Sequence, residues 1–205
     1  MSFYGLAGHR GRRHLATCCR WSRLPPHHLA REGAGQTLAL LGEAGLPTRG
    51  DGERGFDHGV FVPLMLSFPA AELPTVQLSL LAGLHPATHL ALGRALAPLR
   101  AEGVLLIGSG MSYHNMRAFR SPAALGHSRR FDAWLDETVA LEGPQREARL
   151  ARWTEAPSAR ECHPREEHLG PLMGGAGAAG PGPGARVFQD ELLGAVVSAF
   201  RVEGP

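Results

Sequence analysis

A run of four apolar residues at positions 104–107 constrains the fold of this chain more than any other feature. The run lies between Gly103 and Gly108, which is typical of a short strand covered on both faces of a sheet. The small residues after it allow a sharp backbone turn, and His114 and Asn115 follow that turn. Because open α/β sheets carry their chemistry at the carboxyl ends of strands, His114 is a candidate site residue.

The run is the second strand of a predicted strand–helix–strand unit. Residues 75–80 alternate between polar and apolar side chains, which is typical of a half-buried strand. A helix follows that begins at Pro86 and ends at Gly103. The two strands should be parallel, with a right-handed crossover. We therefore predict an α/β fold: a mostly parallel central sheet with helices on both faces, in a single domain.

The remaining segments complete this prediction. Leucines at residues 36–44 predict a short helix, and residues 131–139 and 144–153 predict two helices that cover the sheet. Residues 174–184 consist almost entirely of glycine, alanine and proline, so we predict a loop there. Residues 196–202 predict a last strand.

The first part of the chain differs from the rest. Residues 1–35 show no helical or strand periodicity and are interrupted by glycine and proline, so we predict an atypical, poorly ordered segment. Residues 36–205 should form the folded domain. The three cysteines include an adjacent pair, which does not indicate a disulfide framework, and no secretory signal is recognisable. These features predict a cytoplasmic protein.

Composition makes two classes of partner unattractive. The formal net charge is only +2, all 21 basic residues are arginine, and no basic stripe alternates with aromatic residues, so we do not expect nucleic-acid binding. No apolar run approaches the roughly 20 residues that a membrane helix needs, so we expect no membrane span. The oligomeric state is left open.

Eleven histidines direct attention to metal or proton chemistry, and three have distinctive contexts. His58 lies between Asp57 and Gly59, where a carboxylate could orient the imidazole; the alternative is an ordinary turn histidine. His114 is either a base or metal ligand, or a structural histidine at a strand end. Pro164 could start a helix that carries His168 in its first turns; the alternative is a solvated helix start.

Other chemistries are less well supported. His85 and His89 have helical spacing, but no glutamate follows His85 as in a zinc protease, so we predict a surface pair. The chain has no lysine, which excludes Schiff-base chemistry and a phosphate-binding loop, and it has no Gly-x-Ser-x-Gly motif. A divalent metal with imidazole ligands fits the remaining histidines best.

Four segments, taken in order, carry a family resemblance: residues 57–64, 74–80, 108–115 and 163–172. They resemble successive motifs of the class III extradiol ring-cleavage dioxygenases, in the 4,5-DOPA dioxygenase branch. The resemblance implies a mononuclear non-haem enzyme that uses Fe(II) or Zn(II), one per chain, and dioxygen to open the ring of a small aromatic diol such as DOPA.

The resemblance also implies roles for individual residues. His114 is the expected base and a possible second metal contact, and His168 is the expected metal ligand. His58 is expected to act in catalysis by positioning the ring or the dioxygen. Together with Asn115 and His163, it is expected to bind the substrate.

The chain departs from the family pattern at its amino terminus. Family members carry two further histidine motifs there, each at the end of a strand, that supply metal ligands, and neither occurs in this sequence. The resemblance therefore implies that the amino-terminal strands of the sheet are missing or altered. The histidines at positions 9, 14, 27 and 28 are the ones available to replace them, in contexts that do not match. The alternative function is therefore a catalytically silent or truncated homologue that acts by ligand or protein binding.

Overall fold

The computed structural model describes residues 28–202. They form seven α-helices, two short 3₁₀ segments and one β-hairpin. The helices are α1 (His28–Glu43), α2 (His58–Ser67), α3 (Pro86–Leu96), α4 (Ala124–Val139), α5 (Gly143–Ala151), α6 (Ala159–Cys162) and α7 (Gly170–Ala178), and the strands are β1 (Gly184–Leu192) and β2 (Ala195–Val202). Within this part of the chain, no helix is both long and apolar enough to cross a membrane.

Local sequence explains several helix boundaries. The carboxylate of Asp57 accepts a hydrogen bond from the Gly59 amide and so caps the first turn of α2. Pro86 occupies the first turn of α3, and the 3₁₀ segment Ala97–Glu102 that continues it ends at Gly103, which has a φ of 80°. The predicted boundaries at Pro86 and Gly103 are therefore confirmed.

The strands form a two-stranded antiparallel sheet. Leu192 pairs with Ala195, and the two residues between them, Leu193 and Gly194, both have positive φ. Positive φ at both central positions is the requirement of the type I′ turn that matches the twist of a hairpin. The predicted last strand at residues 196–202 is thus confirmed as β2, with an antiparallel partner that the sequence did not predict.

The predicted parallel central sheet is not present in residues 28–202. Residues 75–80 and 104–107 are not in strands, and Val104 and Leu105 expose 41% and 59% of their surface. Leu78 and Leu106 nevertheless pack against the leucine cluster of α1 and α3. The apolar pattern therefore predicted which side chains contact the core, whereas a strand also requires a neighbouring backbone to pair with.

Two further predictions were wrong. Residues 174–178, predicted as loop, belong to α7, whose glycines allow a close approach to α3. A Cβ atom added to Gly177 would lie 2.1 Å from the carbonyl oxygen of Leu90. Pro164 does not start a helix, because residues 163–169 form turns and α7 begins only at Gly170.

The helices and hairpin enclose two hydrophobic clusters. The larger cluster joins α4 to the hairpin and the helices around it, and the smaller one joins α1 to α3. The large buried side chains of the first include Phe131, Leu135, Trp153 and Met173, and the buried members of the second are Leu41, Leu92, Leu96 and Leu99. Helix α1 also crosses the predicted boundary between residues 35 and 36, and residues 1–27 lie outside the described part.

Candidate metal centre

Two loops come together to form the candidate site, one ending at His114 and the other running from Cys162 to His168. The amide of His114 donates to the carbonyl of Cys162 at 3.0 Å, and the amide of Met111 donates to the carbonyl of His168 at 3.1 Å. Gly110 is required by this contact, because a Cβ atom there would lie 2.2 Å from the His168 carbonyl oxygen. The loops are thus joined backbone to backbone, directly beside both histidines.

The loops place three potential ligands close to one another. The imidazole rings of His114 and His168 are stacked, with centroids 3.3 Å apart and planes inclined at 25°. One ligand atom each from His114, Glu167 and His168 lie within 4.8 Å of one another, and all three side chains are half-buried. Among the described residues this is the only such group of three.

The electrostatic environment keeps both imidazoles neutral. Burial lowers the pKa of His114, and the Glu167 carboxylate partly opposes this effect. Burial also lowers the pKa of His168, to about 4; the neighbouring His114 and His58 lower it further, and the Glu167 carboxylate opposes the shift. A neutral imidazole has a free lone pair, which is the form that binds a metal ion or accepts a proton.

Glu167 is a site residue that the sequence reasoning missed as a ligand. Its Oε2 is buried without a hydrogen bond, although Arg165 Nε lies 3.3 Å away in an ion pair. A buried carboxylate oxygen without a hydrogen-bond donor is costly, and a cation at this position would satisfy it. The available signal was its position next to His168, but adjacency alone does not show which way a side chain points.

Two imidazoles and one carboxylate are a donor set suited to a divalent transition metal. Zn(II) accepts both kinds of ligand, and sites of two histidines and one carboxylate with open positions are typical of non-haem Fe(II) oxygenases. The neutral imidazoles and the Glu167 carboxylate, whose Oε2 has an ion pair but no hydrogen bond, therefore fit a metal ion.

His163 lies beside this centre but is not exposed to it. Its side chain is completely buried, and its Nε2–H donates to the carbonyl of Ser112 at 3.0 Å. Ser112 is held a second time, since its Oγ accepts a hydrogen bond from the amide of Ser198 in β2. His163 thus fixes the loop that carries His114, and the contact with substrate that the resemblance implies stays a prediction.

His58 and Asn115 flank the centre. His58 is the exposed first residue of α2, close enough for its charge to affect His168. The sequence suggested that the Asp57 carboxylate could orient His58. In the structure this carboxylate caps α2 and accepts a hydrogen bond from the Gln77 side chain at 2.9 Å. The Asn115 amide donates to the carbonyl of Glu161 in α6 at 2.8 Å, which ties the residue after His114 to the helix that precedes the second loop.

His89 is a buried structural histidine, and the predicted surface pair is wrong for it. Its Nε2 accepts a hydrogen bond from the amide of Leu81 at 3.1 Å, and its Nδ1 donates to the carbonyl of His85 at 2.9 Å. The signal in the sequence was its spacing from the buried leucines of α3, three residues before Leu92 and seven before Leu96.

Comparisons with known proteins identify relatives of this chain. Relatives include 4,5-DOPA dioxygenase extradiol of Beta vulgaris, which is 41% identical over 150 residues, or 72% of this chain and 55% of that protein. Dioxygenase tasH of Hapsidospora irregularis is 39% identical over 165 residues, or 73% of this chain and 50% of that protein. The chain therefore spans about half the length of these relatives.

A solved structure shares the fold. The crystal structure of an uncharacterized protein from Escherichia coli K12 superposes with a TM-score of 0.73 at 27% identity, covering 88% of this chain and 76% of that one. Residues 28–201 match the family described as the catalytic LigB subunit of aromatic ring-opening dioxygenase. Because that match extends over most of the sequence, the chain belongs to the LigB family of aromatic ring-opening dioxygenases.

Proposed function

We propose that this protein is a metal-dependent extradiol dioxygenase that opens the ring of a catechol such as DOPA. The observation that carries the proposal is the group formed by His114, Glu167 and His168, two neutral imidazoles beside a carboxylate oxygen that lacks a hydrogen bond. Family membership and the names of the relatives support aromatic ring opening as the reaction.

His168 and Glu167 would hold the metal, either Fe(II) or Zn(II), with His114 as a third ligand or as the base. When bound, either metal would supply chelation of the catechol, and Fe(II) would also supply the electron transfer that dioxygen chemistry needs, which redox-inert Zn(II) would not. The lone pair of His114 can accept a catechol proton at neutral pH because burial lowers its pKa. His58, exposed at the start of α2, would contact the ring.

The supporting residues have a different task, which is to keep the two loops in register. His163 and Asn115 each donate to a backbone carbonyl next to the centre, at Ser112 and Glu161. Small displacements of catalytic groups are expensive, so these bonds should matter for turnover without contact to substrate.

The test is anaerobic reconstitution of the purified chain with Fe(II) or Zn(II). Bound metal is measured by mass spectrometry, and then DOPA and ¹⁸O₂ are added. We expect one metal per chain and a coloured ring-opened product that contains both labelled oxygen atoms. His168→Ala and Glu167→Gln should lose most of the bound metal, whereas His127→Ala, a half-buried histidine on α4, should retain it.

The same assay shows whether His114 acts as the base or as a metal ligand, and it also tests the alternative function. If His114→Gln keeps the metal and loses turnover, His114 acts as the base; if it loses the metal, His114 is a ligand. Stoichiometric metal with no product from DOPA or catechol would favour the silent homologue that acts by binding, and absence of metal binding would reject the centre itself.

A further inference from the structure

Serine side chains bind the outer edge of β2, where a larger sheet would carry a third strand. Within residues 28–202 the sheet has two strands, and β1 pairs with one edge of β2. On the other edge, the amide of Val196 donates to Ser128 Oγ at 2.9 Å and the amide of Ser198 donates to Ser112 Oγ at 2.8 Å. Amides two residues apart in a strand point the same way, so the two hydroxyls occupy successive positions on one edge.

The two serines belong to different parts of the molecule. Ser128 is a buried residue of α4, and its Oγ also donates to the carbonyl of Leu125 at 3.1 Å. Ser112 lies two residues before His114, and its carbonyl accepts the hydrogen bond from His163. Strand β2 therefore holds α4 through one hydroxyl and the loop of the metal centre through the other.

The hairpin also holds the far end of the segment that contains this loop. The amide of Arg120 donates to the carbonyl of Leu193, in the hairpin turn, at 2.8 Å. Between the two anchors, the side chain of Tyr113 is buried in the larger hydrophobic cluster, and its ring packs edge-on against Phe119 with centroids 5.0 Å apart. Residues 112–120 are thus fixed to the hairpin at both ends.

We infer that Ser112 is a positioning residue of the metal centre, because its hydroxyl fixes the loop that carries His114 to β2. The inference rests on the proposed function, in which His114 acts beside a metal held by Glu167 and His168. The rings of His114 and His168 are stacked with centroids 3.3 Å apart, so a displacement of the loop changes their mutual geometry directly. Loss of a group that orients metal ligands typically lowers metal affinity by about 10-fold to 100-fold.

Two serine variants of the full chain test this role with a matched control. Ser112→Ala and Ser128→Ala each remove one hydroxyl that accepts a hydrogen bond from β2, so both should lower the melting temperature. Zn(II) affinity, measured by competition with a chromophoric chelator, distinguishes them. Ser112→Ala should bind Zn(II) about 10-fold more weakly than the wild type. Ser128→Ala should bind it with unchanged affinity, because its hydroxyl anchors α4.

A second pair of variants isolates the hydroxyl of residue 112. Threonine and valine have nearly the same shape and differ in a hydroxyl against a methyl group. Ser112→Thr should therefore bind Zn(II) more tightly than Ser112→Val, and this pair decides the matter if Ser112→Ala does not fold.

The ring protons of His114 and His168 give a readout that needs no metal. Stacked rings shift each other's resonances, so ¹H–¹³C NMR of the metal-free chain reports their mutual geometry. These resonances should move in Ser112→Ala and stay in place in Ser128→Ala.

Two results would overturn the inference. The first is wild-type Zn(II) affinity in Ser112→Ala, since the hydrogen bond would then stabilise the hairpin alone. The second is an equal loss of affinity in Ser128→Ala, which would show that affinity follows overall stability. A wild-type chain that binds no Zn(II) would instead reject the proposed function. The ring protons would still decide the role of Ser112, because unchanged resonances in Ser112→Ala would exclude it.

Discussion

At the scale of single residues, His163 links the pH dependence of stability to the geometry of the metal centre. Burial lowers the pKa of His163 to about 4, despite the hydrogen bond to Ser112 that opposes the shift. In the unfolded chain its pKa is about 6.5. Between these values the unfolded chain binds a proton that the folded chain does not, so folding stability must fall as the pH is lowered through this window.

We therefore expect the unfolding free energy of the metal-free protein to decrease from about pH 6.5 to pH 4. His163 alone should contribute up to about 1.4 kcal/mol per pH unit. In His163→Gln this dependence should be shallower, which urea unfolding at a series of pH values would measure. Above about pH 7 the two proteins should give parallel curves. A wild-type stability that rose on acidification through the window would contradict the assignment.

Some residues of the metal centre could be predicted from local sequence, and others could not. His114 and His168 were identified through the motifs that contain them, and they meet in the structure with stacked rings. Glu167 and the supporting role of His163 were not identified, because both depend on how the 163–169 turns face the loop before His114. That contact joins residues about 50 positions apart, such as His163 and Ser112, and no spacing rule reports it.

At the scale of elements, the contact between α3 and α7 is made by glycines. A Cβ atom on Gly93 would lie 2.0 Å from the carbonyl oxygen of Gly174, and one on Gly177 would lie 2.1 Å from that of Leu90. Because the obstructing atoms belong to the backbone, neither helix can yield without moving as a whole. The separation of the two helices is therefore fixed at direct backbone contact.

We expect Gly93→Ala to destabilise the protein by about 3 kcal/mol or more, at or above the usual cost of overpacking a core. Gly126→Ala on α4 is the matched control, since its new Cβ would have ordinary contact, 3.5 Å from Arg130. That variant should gain roughly 0.5–1 kcal/mol from helix propensity. Thermal and urea unfolding would measure both. Equal effects of the two substitutions would show that α3 and α7 are not in close contact.

Element boundaries divide into those set locally and those set by packing. The start of α3 at Pro86, the end at Gly103 of the 3₁₀ segment that continues it, and the last strand were predictable because proline, glycine and β-branched residues act through their own backbone preferences. Residues 174–178 were misassigned because close packing overrides the low helix propensity of glycine. Residues 104–107 were misassigned because an apolar run indicates that side chains contact the core, but it does not show that the backbone pairs with another strand.

At the scale of the whole molecule, the two hydrophobic clusters predict unequal local stability. The smaller cluster holds α1 through Leu41, which is completely buried against the leucines of α3. The larger cluster contains Leu135 of α4 and the hairpin residue Phe200. Elements that depend on few buried contacts open at lower free energy than those in a main core.

Native-state hydrogen exchange should therefore show that α1 opens before α4. Leu41→Ala should reduce the opening free energy of α1 amides by about 2–5 kcal/mol and leave α4 amides unchanged. Leu135→Ala should reduce protection throughout the molecule. If Leu41→Ala lowered protection in α4 as much as in α1, the described part of the chain would unfold as one unit.

The glycines of α7 also set an order of folding events. Four of its nine residues are glycine, so this segment has little tendency to be helical in isolation. It becomes a helix only when α3 is already present as a surface to pack on. His168 lies two residues before α7, and its carbonyl is joined to the loop that carries His114. We therefore expect the metal-binding geometry to form only after α3 and α7 have packed together, as a late event in folding.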